Sequence, residues 1–288
     1  MKIGSPALAV VIVSLLHGFA HANDHEASET PALSKWFEVP LKEAVAVLED
    51  RGSYRVLYNW EVVQSGDTAT ARVSGDFSGF EWPQKEMDLS SSKNRWFERP
   101  HRLQRVEGGW LAGYNGGEFG AELWWFSTDG KRSYKISNHQ VNQFLVTDDA
   151  VYAAEGLSHL SMSEGSVVRL SNVEGKWKAE TFAKPEIGEP SGLVQVENGS
   201  FIALGGFGLG AWTISPTGVL KPHETLSKIP VPPYFSTAAR EGSAIYIGSE
   251  YFVMAIDIKT FERRYLVQSE EHWRKIKDAY KPFKPFDD

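Results

Sequence analysis

Short apolar runs alternate with polar turns along most of the chain. Runs rich in valine, isoleucine, leucine and aromatic residues are typical of strands buried in a sheet. Most of them end at glycine, asparagine, aspartate or serine, whose backbones accept the angles of tight turns. The pattern therefore predicts an all-β fold built from many short strands.

One turn position recurs at a fixed interval. Ser127, Ser171 and Ser215 lie 44 residues apart. Each follows a short apolar run and precedes a turn, and Asp257 occupies the matching place later in the chain. A constant interval of this length indicates a repeated structural unit.

Each unit also contains a strand, a tight polar turn and a second strand, which is the pattern of a hairpin. A weaker copy of this pattern begins at Val63. The clearer copies cover 106–113, 146–153, 196–203 and 239–246. Together they predict five repeats of about 43 residues over about 54–268, each with about four short strands.

A repeat of this length with four short strands resembles the repeat of the β-propeller superfamily. In that superfamily, four-stranded sheets, or blades, stack around an axis. One such sheet cannot bury both of its faces, so neighbouring blades have to cover it. The resemblance implies a β-propeller with five four-stranded blades. It is general rather than specific to one family, because the chain contains no Trp-Asp dipeptide. A β-sandwich or a β-helix is the alternative all-β fold.

Residues 1–22 have the features of a cleavable signal peptide. Lys2 supplies a positive charge, residues 7–16 are mostly apolar, and residues 20–22 read Ala-His-Ala, the small-x-small pattern of a cleavage site. The apolar run has about half of the roughly twenty residues that a membrane-spanning helix needs. We therefore expect cleavage after Ala22 and a periplasmic or secreted protein. The alternative is an N-terminal anchor or a buried helix.

The rest of the chain divides into a short polar segment and one repeat domain. Residues 23–34 are predicted to be disordered because they are polar. Residues 35–288 are predicted to form a single β-propeller domain, in which residues 269–288 provide a C-terminal helix and tail. This organisation leaves the repeats as the source of the core.

Two short helices are expected to flank the repeats. The second covers 270–280, where Ser269 is a suitable N-cap and two glutamates occupy the first turn. The first covers 40–52 and ends near a glycine. Its apolar positions share one face and are Leu41, Val45 and Leu48.

Composition and charge exclude several classes of protein. The formal net charge of −7 opposes a large phosphate-binding surface, so no nucleic acid is expected as a partner. The chain has no cysteine, which excludes disulfides, thiol catalysis and thiolate metal sites. The histidines are scattered without metal-binding spacing, so neither a metal nor another cofactor is expected. We expect a monomer that does not span the membrane.

The loops after the second strand of each repeat form the candidate ligand-binding surface. In a propeller these loops emerge on one face around the axis. Each of them contains an aromatic residue or a histidine, and four of the five contain a carboxylate. Aromatic rings beside carboxylates suit sugars or the basic side chains of a protein. The candidate residues are Asp76, Phe77, Tyr114, Glu118, Phe119, Glu155, His159, Phe207, Glu250 and Tyr251.

Two functions from different classes fit this surface. The main prediction is an exported, non-catalytic recognition protein that binds a protein or glycan of the cell envelope or exterior, for example an inhibitor or immunity-type protein. The alternative is a carbohydrate-active hydrolase or lyase that uses carboxylates near the axis. The chain lacks a strong catalytic motif, which favours the recognition protein. A third alternative is an assembly role for the tail at 281–286, where Lys-Pro-Phe occurs twice.

Overall fold

The computed structural model describes residues 32–49, 59–77, 81–89, 97–159, 162–184, 188–205, 210–229 and 235–279. Within these ranges most residues belong to nineteen strands, and neither of the two α-helices has the length and apolar character needed to cross a lipid bilayer. The predicted signal peptide and the tail at 281–286 lie outside the described residues.

The strands follow one another in short antiparallel hairpins. The elements before the first four-stranded sheet are β1 Phe37–Val39, α1 Leu41–Glu49, β2 Trp60–Ser65 and β3 Thr68–Val73. The next are β4 Arg102–Val106, β5 Gly109–Asn115, β6 Ala121–Ser127, β7 Ser133–Ser137, β8 Val141–Val146, β9 Val151–His159, β10 Met162–Val173 and β11 Lys176–Ala183. The last are β12 Pro190–Gln195, β13 Phe201–Gly205, β14 Ala211–Ile214, β15 Leu220–Pro222, β16 Ala238–Glu241, β17 Ala244–Gly248, β18 Val253–Asp257, β19 Arg263–Val267 and α2 Glu270–Ala279.

Four of the five sheets contain four consecutive strands. They are β4 to β7, β8 to β11, β12 to β15 and β16 to β19, and the last gains β1 as a fifth strand beside β19. The fifth sheet is the β2–β3 hairpin. The repeated four-stranded sheets confirm the predicted all-β propeller architecture. The count of five blades stays a prediction, because the β2–β3 sheet has only two strands among the described residues.

The recurring serine lies at the end of the third strand in the case of Ser127 and directly after it in the case of Ser215, where its side chain satisfies the backbone of the turn. Ser127 Oγ accepts the N–H of Arg132 at 3.0 Å, and Ser215 Oγ accepts the N–H of Val219 at the same distance. Ser171 differs because β10 continues past it to Val173. The repeat therefore marks a turn wherever the third strand is short.

The first strands of the sheets lie side by side around the axis in the order β4, β8, β12, β16, β2. A strand at a sheet edge leaves backbone groups without a ladder partner, and buried polar side chains supply the partners here. Gln143 accepts the N–H groups of Leu193 and Ala238 at 3.1 and 2.8 Å and donates to their carbonyl oxygens at 2.8 and 2.7 Å. Thr237 does the same for Val62, at 2.6 and 2.9 Å.

Five clusters of buried hydrophobic side chains, counted over the described residues, fill the spaces beside and between the sheets. In β5 both faces are buried, because Trp110 belongs to one cluster and Leu111 to the next. Burial on both faces explains why the strands have nearly continuous apolar sequences. Burying each large apolar side chain contributes about 1.5–3 kcal/mol, which is how a chain without disulfides is stabilised.

The N-terminal elements pack against the last sheet. β1 pairs antiparallel with β19, and the Trp273 indole N–H in α2 donates to Glu43 of α1 at 3.1 Å. Ser269 caps α2 as predicted, accepting the N–H of His272 at 3.1 Å. The predicted face of α1 is partly wrong: Leu41 is 50% exposed, and Ala44 is the buried side chain at the start of the helix.

The described residues include the end of the segment 23–34, which the sequence predicted to be disordered. Leu33 and Ser34 of this segment begin a 3-10 turn that ends at Lys35, and Leu33 is fully buried. Residues 23–31 lie outside the described residues. Trp36 and Trp60 pack edge to face with their ring centroids 5.0 Å apart, and both are buried in the core.

Candidate functional site

The starts of the first strands and the ends of the second strands lie on the same face of the propeller, because the first and second strands of each sheet run antiparallel. We call it the upper face. Trp60 at the start of β2 donates its N–H to the carbonyl of Ser249 after β17, at 2.9 Å. Gly156 in β9 likewise donates to Gln140, just before β8, at 2.9 Å. The loops chosen from the sequence therefore lie on the same face as the connections that enter each sheet.

Glu189 lies on the upper face, immediately before the start of β12. Its Oε1 atom accepts a hydrogen bond from Asn142 Nδ2 at 2.6 Å and one from Ser191 Oγ at 3.4 Å. Its backbone N–H donates to Ser163 Oγ at 2.9 Å. These contacts join the entry to β12 with β8 and with the β9–β10 hairpin.

The β9–β10 hairpin extends past the first strand of its own sheet. Val141, at the start of β8, pairs with Glu155, whereas β9 continues to His159. Gly156 and Gly165 face each other in this extension. A Cβ atom on Gly165 would lie 2.7 Å from Pro190 Cδ, so glycine lets the hairpin lie close to the start of β12, beside Glu189.

Glu155 is the second carboxylate of this region, and Ser166 Oγ donates to its Oε1 at 2.5 Å. Burial raises the pKa of Glu189 to about 7, and the negative charge of Glu155 adds to the rise. Hydrogen bonds from Ser191 and Asn142, and one with the backbone of Ser158, act in the opposite direction. Glu189 therefore exchanges a proton near neutral pH, which an ordinary glutamate does not do.

Arg102, the first residue of β4, holds the neighbouring strands together at the axis. Its Nε donates to the carbonyl of Asn142, its Nη1 to the carbonyl of His101 at 2.9 Å, and its Nη2 to the carbonyl of Ser236 at 3.4 Å. Its Nε also lies 3.4 Å from Glu61 Oε1, in an ion pair that is largely buried. The positive charge is thus compensated within the fold.

His101 lies at the rim of this region. Its Nδ1 accepts the backbone N–H of Asn115 at 3.1 Å, which makes Nδ1 the unprotonated nitrogen. Partial burial of the ring lowers the pKa of His101, and the charge of Arg102 lowers it further. The imidazole is therefore neutral at pH 7.

Two of the candidates chosen from the sequence are in contact at one side of the upper face, and two more lie next to them along the chain. Glu118 Oε2 lies 3.4 Å from His159 Nδ1, joining the loop after β5 to the long hairpin. Phe119, beside Glu118, is 59% exposed. Glu155 lies in the same hairpin as His159.

Other candidates have different surroundings. Tyr114 is fully buried and donates its hydroxyl hydrogen to the carbonyl of Met87 at 2.5 Å, and Phe77 and Tyr251 are buried as well. These three rings therefore lie in the core, not on the loop surface where the sequence placed them. Burial raises the pKa of Tyr251 to about 12, with a further contribution from its neighbour Glu250.

The last three candidates are Asp76, Glu250 and Phe207. Asp76 is exposed after β3. Burial raises the pKa of Glu250, although its side chain stays partly exposed. Phe207 lies outside the described residues. Within the described ranges, histidine and carboxylate side chains form no group of three that could hold a metal ion.

Sequence reasoning missed Glu189, Asn142, Arg102 and His101. All four lie at or just before the start of a first strand. Those connections reach the upper face as the chosen loops do, so the repeat could have indicated them. The specific signal is a polar or charged residue at the entry to an otherwise apolar strand.

No protein-family model matches the chain, and no curated protein matches it. Solved structures with similar folds include a gluconolactonase from Xanthomonas campestris, at 14% identity and a TM-score of 0.39, over 58% of this chain and 57% of that one. A luciferin-regenerating enzyme gives 13% identity and a TM-score of 0.42, over 58% and 60%. A virginiamycin B lyase variant from Staphylococcus aureus gives 17% identity and a TM-score of 0.40, over 59% and 56%. Each match spans less than two thirds of the solved structure.

The repeated four-stranded sheets give the chain a propeller-like fold. The main functional prediction, a non-catalytic recognition protein, is corrected here, because the neighbours include a gluconolactonase and a luciferin-regenerating enzyme, and these are catalytic propellers. The likeness is too distant to transfer a residue or a substrate.

Proposed function

We propose that the chain is a carbohydrate-active hydrolase or lyase whose active site lies on the upper face, around Glu189 and Glu155. The observation that carries the proposal is the partly buried Glu189 carboxyl group, which has a pKa of about 7 beside a second carboxylate. A group with this pKa can both donate and accept a proton at neutral pH. Paired carboxylates in different environments are a recurrent solution for acid–base chemistry on sugars.

Hydrolysis is the reaction that this pair supports best. Protonated Glu189 would donate its proton to the oxygen of the leaving group as the glycosidic bond breaks. Glu155, which accepts a hydrogen bond from Ser166, would act as the base or stabilise positive charge on the sugar. In a lyase, the ionised form of Glu189 would instead remove a proton from the substrate.

Phe119 gives the proposed site an exposed aromatic surface next to carboxylates. A flat apolar ring suits the apolar face of a sugar, and hydroxyl groups of the same sugar can donate to Glu118. Export is part of the proposal: cleavage after Ala22 would deliver the mature chain to the envelope or exterior, where glycans of the cell surface are the available substrates.

The direct test is a panel of neutral, amino and acidic oligosaccharides incubated with the purified protein. We expect new reducing ends from at least one glycan, and product analysis separates hydrolysis from elimination, which leaves an unsaturated sugar. Esters and lactones are tested beside the glycans. If every glycan class is left uncleaved and these compounds are left unreacted as well, the carbohydrate proposal is wrong.

Phe119→Ala should weaken substrate binding without blocking chemistry. Burying a phenylalanine against a ligand is worth about 1.5–3 kcal/mol, so KM should rise roughly tenfold or more while kcat changes little. The measurement is steady-state kinetics on a glycan that the wild type cleaves. Val146→Ala is the matched control, because Val146 is exposed at the other end of β8. An unchanged KM for Phe119→Ala argues against stacking on this ring.

A further inference from the structure

Asn142 makes the shortest hydrogen bond to the Glu189 carboxyl group. Its Nδ2 atom lies 2.6 Å from Glu189 Oε1. The same nitrogen lies farther from its two other acceptors, 3.2 Å from the carbonyl oxygen of Gly156 and 3.4 Å from that of Pro190. An amide nitrogen has two hydrogens to donate. The amide therefore donates most closely to the carboxylate and also lies within hydrogen-bond distance of two backbone carbonyls.

Arg102 in turn restrains the backbone of Asn142. The guanidinium donates to the Asn142 carbonyl and is itself held by Ser236 and by the ion pair with Glu61. Glu61 also accepts from Arg72 at 2.9 Å. A chain of contacts thus runs from the ion pairs at the axis through the first residues of β8 to the carboxyl group.

We propose that Asn142, restrained by Arg102, is the positioning residue of the site and that it acts by fixing the orientation and proton exchange of the Glu189 carboxyl group. The inference deepens the proposed function, because it concerns the group that this function uses. A tether that only joined β8 to β12 would not affect how Glu189 binds its proton.

The physical reason is the balance of forces on Glu189. Burial and the charge of Glu155 favour the protonated carboxyl group, and the amide of Asn142 favours the ionised one. Among the described residues, Glu155 from β9 is the charged group that acts on Glu189, and Arg102 from β4, which is paired with Glu61, contacts the backbone of Asn142. Without the amide, Glu189 would stay protonated at neutral pH and would return its proton less readily in a catalytic cycle.

The test is a titration of the side-chain carboxyl groups by NMR, using the full chain with ¹³C-labelled glutamate. The spectrum of Glu189→Gln identifies the Glu189 resonance. In Asn142→Ala we expect its midpoint to rise by about one pKa unit, because a hydrogen bond to a charged group has about that effect. Asn172→Ala, at an exposed position in β10, is the control and should leave the midpoint unchanged.

Asn142→Asp provides a second variant of nearly the same size, for the case in which alanine disrupts the fold. Two facing carboxyl groups titrate as a pair, so we expect two steps, with the upper one above the wild-type midpoint. A Glu189 midpoint that stays at its wild-type value in a folded Asn142→Ala or Asn142→Asp chain overturns the proposal.

The titration uses no substrate, so the two proposals can fail separately. If the midpoint moves but no glycan is cleaved, Asn142 positions Glu189 and the proposed function is wrong. If Glu189→Gln abolishes glycan cleavage while Asn142→Ala leaves the midpoint unmoved, the proposed function stands and the positioning role is wrong.

Discussion

Glu189→Gln is expected to lower kcat on a cleaved glycan by about 10²–10⁴-fold, the usual contribution of a general acid or base. Glutamine has nearly the same shape and can still accept a hydrogen bond from Asn142, so the fold should be retained. It cannot donate a proton to a leaving group. Steady-state kinetics, with circular dichroism to verify folding, measure the effect.

Glu197→Gln is the matched control for this substitution. Glu197 is exposed in the turn between β12 and β13, at the opposite end of the sheet from Glu189. It should retain wild-type kcat. Equal activity in Glu189→Gln and Glu197→Gln would mean that Glu189 takes no part in the chemistry.

Gln143→Leu is expected to have the largest effect on stability. Gln143 is 6% exposed and satisfies four backbone groups, two on Leu193 and two on Ala238. Leucine fills a similar volume but leaves all four groups buried without these partners, at about 1 kcal/mol or more each. The free energy of unfolding should fall by roughly 4 kcal/mol, measured by urea denaturation.

Gln195→Leu separates this effect from a general intolerance of leucine. Gln195 is exposed at the end of β12. Its substitution by leucine should therefore change the free energy of unfolding by less than about 0.5 kcal/mol. If Gln143→Leu were equally mild, then other side chains or water would have to satisfy the inner edges of β12 and β16.

The strands and hairpins could be predicted from the sequence because their causes are local. A polar turn between two apolar runs specifies a hairpin, and Ser127 and Ser215 satisfy turn backbone within five residues of themselves. The repeat then implied stacked sheets. The face of α1 was predicted less well, because tertiary packing against β19 and α2 decides which side is buried.

The site was only partly predictable because its contacts join distant parts of the chain. Asn142 and Glu189 are 47 residues apart, and Arg102 and Asn142 are 40 apart. These distances become contacts only when consecutive sheets close around the axis. Glu155 was found because it follows the apolar part of a second strand, a position that the repeat itself defines.

The same loops misled the choice of aromatic residues. Tyr114 belongs to β5, which is buried on both faces, so its ring enters the core between sheets instead of the loop surface. Phe119 lies five residues later, in a 3-10 turn outside any sheet, and remains exposed. Which aromatic faces solvent depends on where the strand ends, and sequence patterns locate strand ends poorly.

The measurement that most directly tests the central claim is the pH dependence of stability in the wild type and in Glu189→Gln. Glu189 binds its proton more tightly in the folded chain than in the unfolded one, because its pKa is raised from 4.5 to about 7. Its contribution to stability is therefore fully present below the unfolded pKa and is lost as the pH rises through 7.

Urea denaturation at about pH 5 and about pH 8 should show the wild type losing about 2 kcal/mol more than Glu189→Gln over this interval. The variant should then be the more stable protein at the higher pH, although it is the less active one. Identical pH dependence in the two proteins would contradict the account, because Glu189 would then be an ordinary, ionised glutamate.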